Sequence, residues 1–304
     1  MIGGFEPEAI LTVAHGDSWL TAAKVAAQKH LPLHLIVHDD WPECASVVPS
    51  ARAWAGRLFA SVYRASASRL CVSPYMRDEY QRRYGVGGDV VYPSCAKDAA
   101  KWESPPDRLT RRAEAFPCVY AGSINSTGYV QALQRVSRCM AQLGGRLIIY
   151  GPTSADNLRE MALDAPHITF GGMLPSSKLI DHLRDEADVL YVPLSFAPED
   201  EIPMALNFPS KLTDYTSAAL PLIIVGPPNS SGVKWAREHP GVAEVIDNNE
   251  EGPLLAALER IKLDNGYAHR LAQAALSAGQ SMFSHTIVTE VFHRSLATEM
   301  PSAK

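Results

Sequence analysis

The residues best placed for chemistry lie in "NFPSKLTDYTSAALPLIIVG", residues 207–226, which opens polar and closes as an apolar β-like run. Pro209 suits the first turn of a helix, where a missing N–H costs nothing, and Asn207 just upstream can cap it. The amides of Ser210, Lys211 and Leu212 would then stand open at a helix start, where the dipole favours an anion. Lys211 and Asp214 are three apart and share a helical face. In isolation the stretch reads as a capped surface helix with a minor ion pair; its neighbours decide whether it is more.

Several other β-like runs end in glycine and small polar residues. "YAGSINSTGY" (120–129) places Gly122, Ser123, Asn125 and Ser126 between a strand and a helix, where backbone amides and hydroxyls can cradle a phosphate. "YGPTS" brings Gly151 and Pro152 to the next strand end, and "FGGMLPSSKL" repeats the theme. Neither GxGxxG nor GxxxxGK[ST] occurs, so the loop is neither a dinucleotide fingerprint nor a Walker loop. "VPLSFAPEDEIPMALNFPSKL" is a long polar excursion after a strand, a usual place for a binding loop. Earlier in the chain His15 ends one β-like run, and His38 with Asp39 and Asp40 ends another. Adjacent residues on a strand point to opposite sides, which favours a polar rim over a metal ligand set. Arg77, Arg82 and Arg83 read as a solvated helix face.

The elements that must carry these residues alternate throughout. Strands are expected at 9–14, 33–38, 69–73, 89–93, 118–122, 146–151, 167–172, 188–194, 220–226 and 242–246. Helices are expected at 18–29, 50–66, 75–84, 128–143, 176–186, 210–218, 232–239 and 253–263, with a long amphipathic pattern over 265–297 broken near Gly279. This is the rhythm of parallel sheets covered by helices. Residues 97–117 are charged, hold three prolines and no β-like run, and read as a connection with a short helix inside. The fold class is therefore α/β, with two Rossmann-like parallel-sheet domains facing a cleft and ligands at the carboxyl ends of the strands. The boundaries are a partial first domain over 1–97, a linker over 98–116, a second domain over 117–282 and a C-terminal helix over 283–304 crossing back to the first.

Composition limits the partners. The chain has 304 residues, 46% hydrophobic and 20% charged, enough for two cores. A net charge of −5 and a pI near 6.1 argue against nucleic acid as the main partner. Five cysteines, odd in number and without a CxxC pair, suggest neither a disulfide framework nor a zinc site but free thiols in a reducing compartment. No signal peptide and no apolar run of membrane-spanning length is visible. The expectation is a cytoplasmic protein, with peripheral contact at the inner membrane face or with a partner protein left open.

Taken in order, "VYAGSI", "IIYGP", "ITFGGMLPSSKLIDHLRDEADVLYVPLS" and "NFPSKLTDYTSAALPLII" resemble the donor half of retaining glycosyltransferases with the GT-B fold, the broad group numbered family four. "RLCVSPYMRDEYQRRYGVGGDVVYPS", "ILTVAHGDSW" and "LHLIVHDDW" are similar to parts of that family's acceptor domain, of which the first strands are missing, so a shortened N-terminal domain is expected. The resemblance implies a nucleotide-diphospho-sugar donor held by the second domain, with Gly122, Ser123, Asn125, Ser126, Gly151, Pro152, Asn207, Ser210, Lys211 and Leu212 around it. Asp214 stands where the family has a ribose-binding glutamate; a carboxylate accepts from two adjacent hydroxyls at once. His15 falls where many members carry a histidine facing the transferred sugar. His38, Asp39 and Trp41 are assigned to the side of a saccharide or lipid-linked acceptor; Trp41 either stacks on a sugar ring or covers the core edge. The implied reaction is hexosyl transfer to a hydroxyl with retention, in polysaccharide or glycoconjugate synthesis, with no cofactor and no metal. The chain departs from the pattern in two places. Leu206 occupies the position, eight before Asp214, of a sugar-binding carboxylate, for which Glu199, Asp200 and Glu201 are the candidate substitutes. The basic pair that usually follows the first donor-domain strand is missing from "AGSINSTGY". Two other readings stay open: a non-catalytic module that needs a partner chain, and a sugar-nucleotide epimerase.

Overall fold

The first four strands are short and joined by helices, a pattern expected to pair them as a parallel sheet. In the computed structural model, which describes residues 6–44, 49–110 and 116–297, they do so. The order is β1 (Ile10–Val13), α1 (Ser18–Lys29), β2 (Leu33–Val37), α2 (Trp41–Cys44), α3 (Pro49–Ala65), β3 (Ser68–Cys71), α4 (Pro74–Tyr84) and β4 (Asp89–Val90). The sheet runs β1-β2-β3-β4, all parallel. Its core is aromatic: Trp19, Phe59, Tyr63 and Tyr80 are fully buried and meet edge-to-face or stacked. Such pairs add about 0.5–1.5 kcal/mol each beyond the area they bury. Ser73 caps α4, its hydroxyl accepting from Met76 N, and Pro74 fills the first helical position.

The second sheet follows as β5 (Pro117–Ala121), α5 (Thr127–Gln142), β6 (Arg146–Tyr150), α6 (Ala155–Glu160), β7 (Ile168–Gly172), α7 (Ser176–Glu186), β8 (Val189–Pro193), α8 (Glu201–Leu206), α9 (Lys211–Ser217), β9 (Leu222–Val225), α10 (Ser231–Glu238), β10 (Glu244–Ile246), α11 (Glu251–Leu263) and α12 (Asn265–Met282); α13 (His285–Leu296) ends the described chain. Its order is β10-β9-β8-β5-β6-β7, again all parallel. The core below it includes Tyr120, Leu133, Val136, Ile149, Tyr191 and Ile223, each at most 1% exposed. By contact the chain divides into two compact units: residues 1–93, 205–208 and 286–304 form one, and 94–204 with 209–285 the other.

Two local expectations are corrected, and a third is met. The long C-terminal pattern breaks at Phe283, between α12 and α13, and Gly279 lies inside α12. Gly279 permits close packing there, since a Cβ at that position would come 2.4 Å from Thr216 Oγ1 on α9. The connection before β5 does carry a short helix among its described residues, a 3-10 helix over Asp107–Thr110. Arg108 in that turn pairs with Asp188 at 2.5 Å and donates to Arg184 O, which secures the segment on the second unit. Arg83 is no solvated helix arginine: it bonds the fully buried Asp40 at 2.8 Å and Glu79 at 2.6 Å. A buried carboxylate without such a partner is costly, which is why this one side of α4 turns inward.

Candidate functional site

In the second unit the strand order reverses between β5 and β8, and ligands of such sheets sit at the carboxyl ends of the strands there. Gly122 and Gly151 mark the ends of β5 and β6. Gly122 N donates to Tyr150 O and Gly151 N to Gly172 O, both at 2.9 Å, so the ladder runs to its last residue. A Cβ on Gly151 would lie 2.4 Å from Gly122 O, and one on Gly122 would lie 3.3 Å from Lys211 Cε. The floor of this corner is therefore backbone, with the lysine beside it.

Lys211 arrives through α9, whose inner face (Leu212, Thr213, Tyr215, Thr216) is buried. Tyr215 fixes the register: its hydroxyl accepts from Ala121 N at 2.6 Å at the end of β5. Lys211 Nζ then sits 4.9 Å from the Tyr120 ring centre and 5.5 Å from that of Tyr129, within cation–π range of both. Among the described residues it has no carboxylate partner, and burial alone pulls its pKa from 10.5 to about 8. One turn on, Asp214 has no cationic partner among the described residues either, and burial raises its carboxyl to about 6. The minor Lys211–Asp214 ion pair that the stretch would suggest in isolation does not form. An unpaired ammonium and an unpaired carboxylate, both partly desolvated and on one short helix, are what a ligand with an anionic end and hydroxyls would satisfy.

The rest of the expected cradle is rearranged. Leu212 N, expected open, donates to Pro209 O at 3.0 Å. Ser210 is the N-cap but makes no side-chain cap bond. Ser126 donates to Asp200 Oδ2 at 2.9 Å, so a carboxylate already stands at the start of α5, where the dipole favours it. Gly128 lets that helix press on the end of β8, since a Cβ there would be 1.8 Å from Ser195 Oγ. Ser123 offers its carbonyl to Tyr120 Oη at 2.5 Å, while the Asn125 and Pro152 side chains are exposed. Tyr120 and Tyr129 bracket the glycine loop at either end, yet nothing in the sequence marks them as site residues, and Asp200 is marked there only as a substitute for the sugar-binding carboxylate.

In the first unit, parallel register pairs Val13 with Ile36, so the residues two further on, His15 and His38, end adjacent strands side by side. Their rings stack with centres 5.9 Å apart, and His38 Nε2 is 3.3 Å from Asp39 Oδ2. The hydrogen bond to Asp39 raises the His38 pKa. Asn207 belongs to this unit: its Nδ2 donates to Asp39 Oδ1 and its Oδ1 accepts from Asp40 N, each at 2.9 Å. Asn207 was assigned to the donor group; here its amide orders the loop after β2. Trp41, one of the acceptor-side residues, is 7% exposed, lies edge-on to Trp19 and parallel to Phe59, and donates to Gly16 O at 2.8 Å. Of its two readings, that of a core residue fits this burial. Leu206 is buried at 6% exposure, and its carbonyl accepts from Ser73 Oγ.

No protein-family model matches the sequence, and no curated protein matches it. The fold does match solved structures. A structure of Anabaena HepE in complex with UDP and glucose superposes with a TM-score of 0.69 at 15% identity, over 95% of this chain and 78% of that one. Sucrose-phosphate synthase of Thermosynechococcus elongatus gives 0.67 at 15%, over 96% and 74%. A trehalose 6-phosphate synthase of Burkholderia multivorans gives 0.66 at 14%, over 95% and 71%. These likenesses establish the expected fold, Rossmann-like parallel-sheet units of the GT-B type. No helix among the described residues is long and apolar enough to cross a membrane.

Proposed function

We propose that the chain is a glycosyltransferase that takes a sugar from a UDP-sugar and delivers it to a hydroxyl acceptor. The observation that carries this is Lys211: a desolvated ammonium without a carboxylate partner among the described residues, beside two strand-end glycines, at the reversal point of the donor-type sheet. The diphosphate supplies the missing counter-charge, and the glycine backbone allows its close approach. Asp214 then accepts from the ribose hydroxyls, for which its carboxyl must be ionised. UDP is chosen because HepE was solved with it.

In the reaction the anomeric carbon–oxygen bond to the diphosphate breaks, a bond to the acceptor oxygen forms, and the acceptor proton passes to the leaving diphosphate. Lys211 stabilises charge that grows on that leaving group, the kind of preorganised electrostatic term worth most in a desolvated setting. Retention of configuration is part of the proposal, as are a role for His15 toward the transferred sugar, of His38 and Asp39 toward the acceptor, and a place in polysaccharide or glycoconjugate synthesis. Neither a cofactor nor a metal is assigned to the step.

One observation favours a second reading, a donor-binding module without turnover: Leu206, buried, stands where a sugar-binding carboxylate is expected. The test is incubation with UDP-sugars and a panel of saccharide acceptors, reading UDP release and the NMR signal of the new anomeric proton. UDP released together with an α-linked product from an α-linked donor supports retaining transfer. Donor that binds but is never consumed supports the module.

A further inference from the structure

The groups at the ends of β1 and β2 have a second chemistry. His15, His38 and Asp39 each offer one ligand atom, and all three atoms lie within 4.8 Å of one another. We propose that they form a binding site for a single divalent transition-metal ion of the zinc class. Adjacent residues on a strand would point apart, but β2 ends at Val37, and His38 and Asp39 follow it in a bend that turns both toward His15. The separation of His38 Nε2 from Asp39 Oδ2 is 3.3 Å. Two ligands bound at about 2.0–2.2 Å to one tetrahedral ion are about 3.3–3.5 Å apart, so this pair already spans one edge of the polyhedron. A side-chain adjustment of the exposed His15 ring closes the other two edges of that face, and its solvent side leaves a fourth position for water.

The surroundings suit the assignment. Asn207 Nδ2 holds Asp39 Oδ1 and so reserves Oδ2 for the ion, while Asn207 Oδ1, fixed on Asp40 N, sets which way the amide faces. Outer contacts of this kind orient a ligand and sharpen affinity. Two imidazoles and one carboxylate select zinc, cobalt or nickel over magnesium or calcium, which prefer oxygen alone. An ion there would occupy lone pairs of both imidazoles. If His15 serves sugar transfer as proposed above, zinc would inhibit that transfer, and a chelator would restore it.

The test is titration of the metal-free full chain with Zn2+ by calorimetry, and with Co2+ by visible absorption. One ion per chain, intense four-coordinate cobalt bands and a loss of about tenfold or more in affinity in both His15→Gln and His38→Gln are expected. No binding by the unaltered chain, or affinity in either variant equal to that of the unaltered chain, overturns the site. Should either variant unfold, the imidazole NMR signals of the unaltered chain decide: His15 and His38 shift with Zn2+ if the site exists and stay in place if it does not. These readouts do not involve nucleotide, so failure of the donor reading leaves them unaffected.

Discussion

Gly151 and Gly122 meet through backbone alone: a Cβ on Gly151 would stand 2.4 Å from the Gly122 carbonyl oxygen. No side chain can be accommodated there without moving a strand end. Gly151→Ala is therefore expected to cost about 1–3 kcal/mol of stability and to weaken UDP binding by displacing the floor under the diphosphate. Urea unfolding and calorimetry check this; unchanged values for both would contradict the close approach.

Lys211 should give UDP-sugar binding an alkaline limb. Its pKa in the free chain is about 8, so the ammonium is lost as pH rises through that value, and the attraction to diphosphate is lost with it. Affinity is expected to be flat from pH 6.5 to 7.5 and to fall by pH 9. Lys211→Met should abolish the limb and weaken binding at pH 7 by about tenfold or more, the range for a hydrogen bond to a charged group. A variant that keeps the limb would assign it to another residue.

Asp214 should make its own pH signature in stability. Its folded pKa, about 6, lies above the unfolded value near 3.9. Between these values the folded chain holds a proton that the unfolded chain has released, so this residue's contribution falls as pH rises from about 4 to 6. Above pH 6 the full penalty remains. Asp214→Asn is expected to be more stable by about 1–2 kcal/mol at pH 7, after discounting for partial exposure, and no more stable at pH 4. The same variant should bind UDP less tightly. Stability that rises equally at both pH values would place the cause elsewhere.

Trp41 separates core from acceptor roles. With its ring against Trp19 and Phe59, Trp41→Ala is expected to cost about 3–5 kcal/mol in urea unfolding. A loss below 1 kcal/mol together with a raised acceptor KM would instead return it to the acceptor side.

The alternation of strands and helices was legible because buried parallel strands must be continuous apolar runs, and nearly every one was found within two residues. The short elements escaped: α2, α6 and α8 carry too few residues for a helical period to show. At the site, Lys211 and Asp214 were marked by spacing and resemblance, but their surroundings were not. Whether Lys211 pairs with Asp214 or lies between Tyr120 and Tyr129 depends on which way α9 rolls, and Tyr215 on Ala121 and Thr216 against Gly279 set that roll. Arg83 and Trp41 show the same limit. The partner that draws each inward, Asp40 and Phe59, is distant in sequence and brought close only by the folded sheet.

The most direct measurement is calorimetric titration of the full chain with UDP, with GDP as comparison, repeated on Lys211→Met. Saturable UDP binding, absent or at least tenfold weaker in the variant, is the expected result and would place the diphosphate beside the half-buried lysine. Binding of equal strength to both proteins, or to neither, would contradict the donor site and with it the proposed transferase.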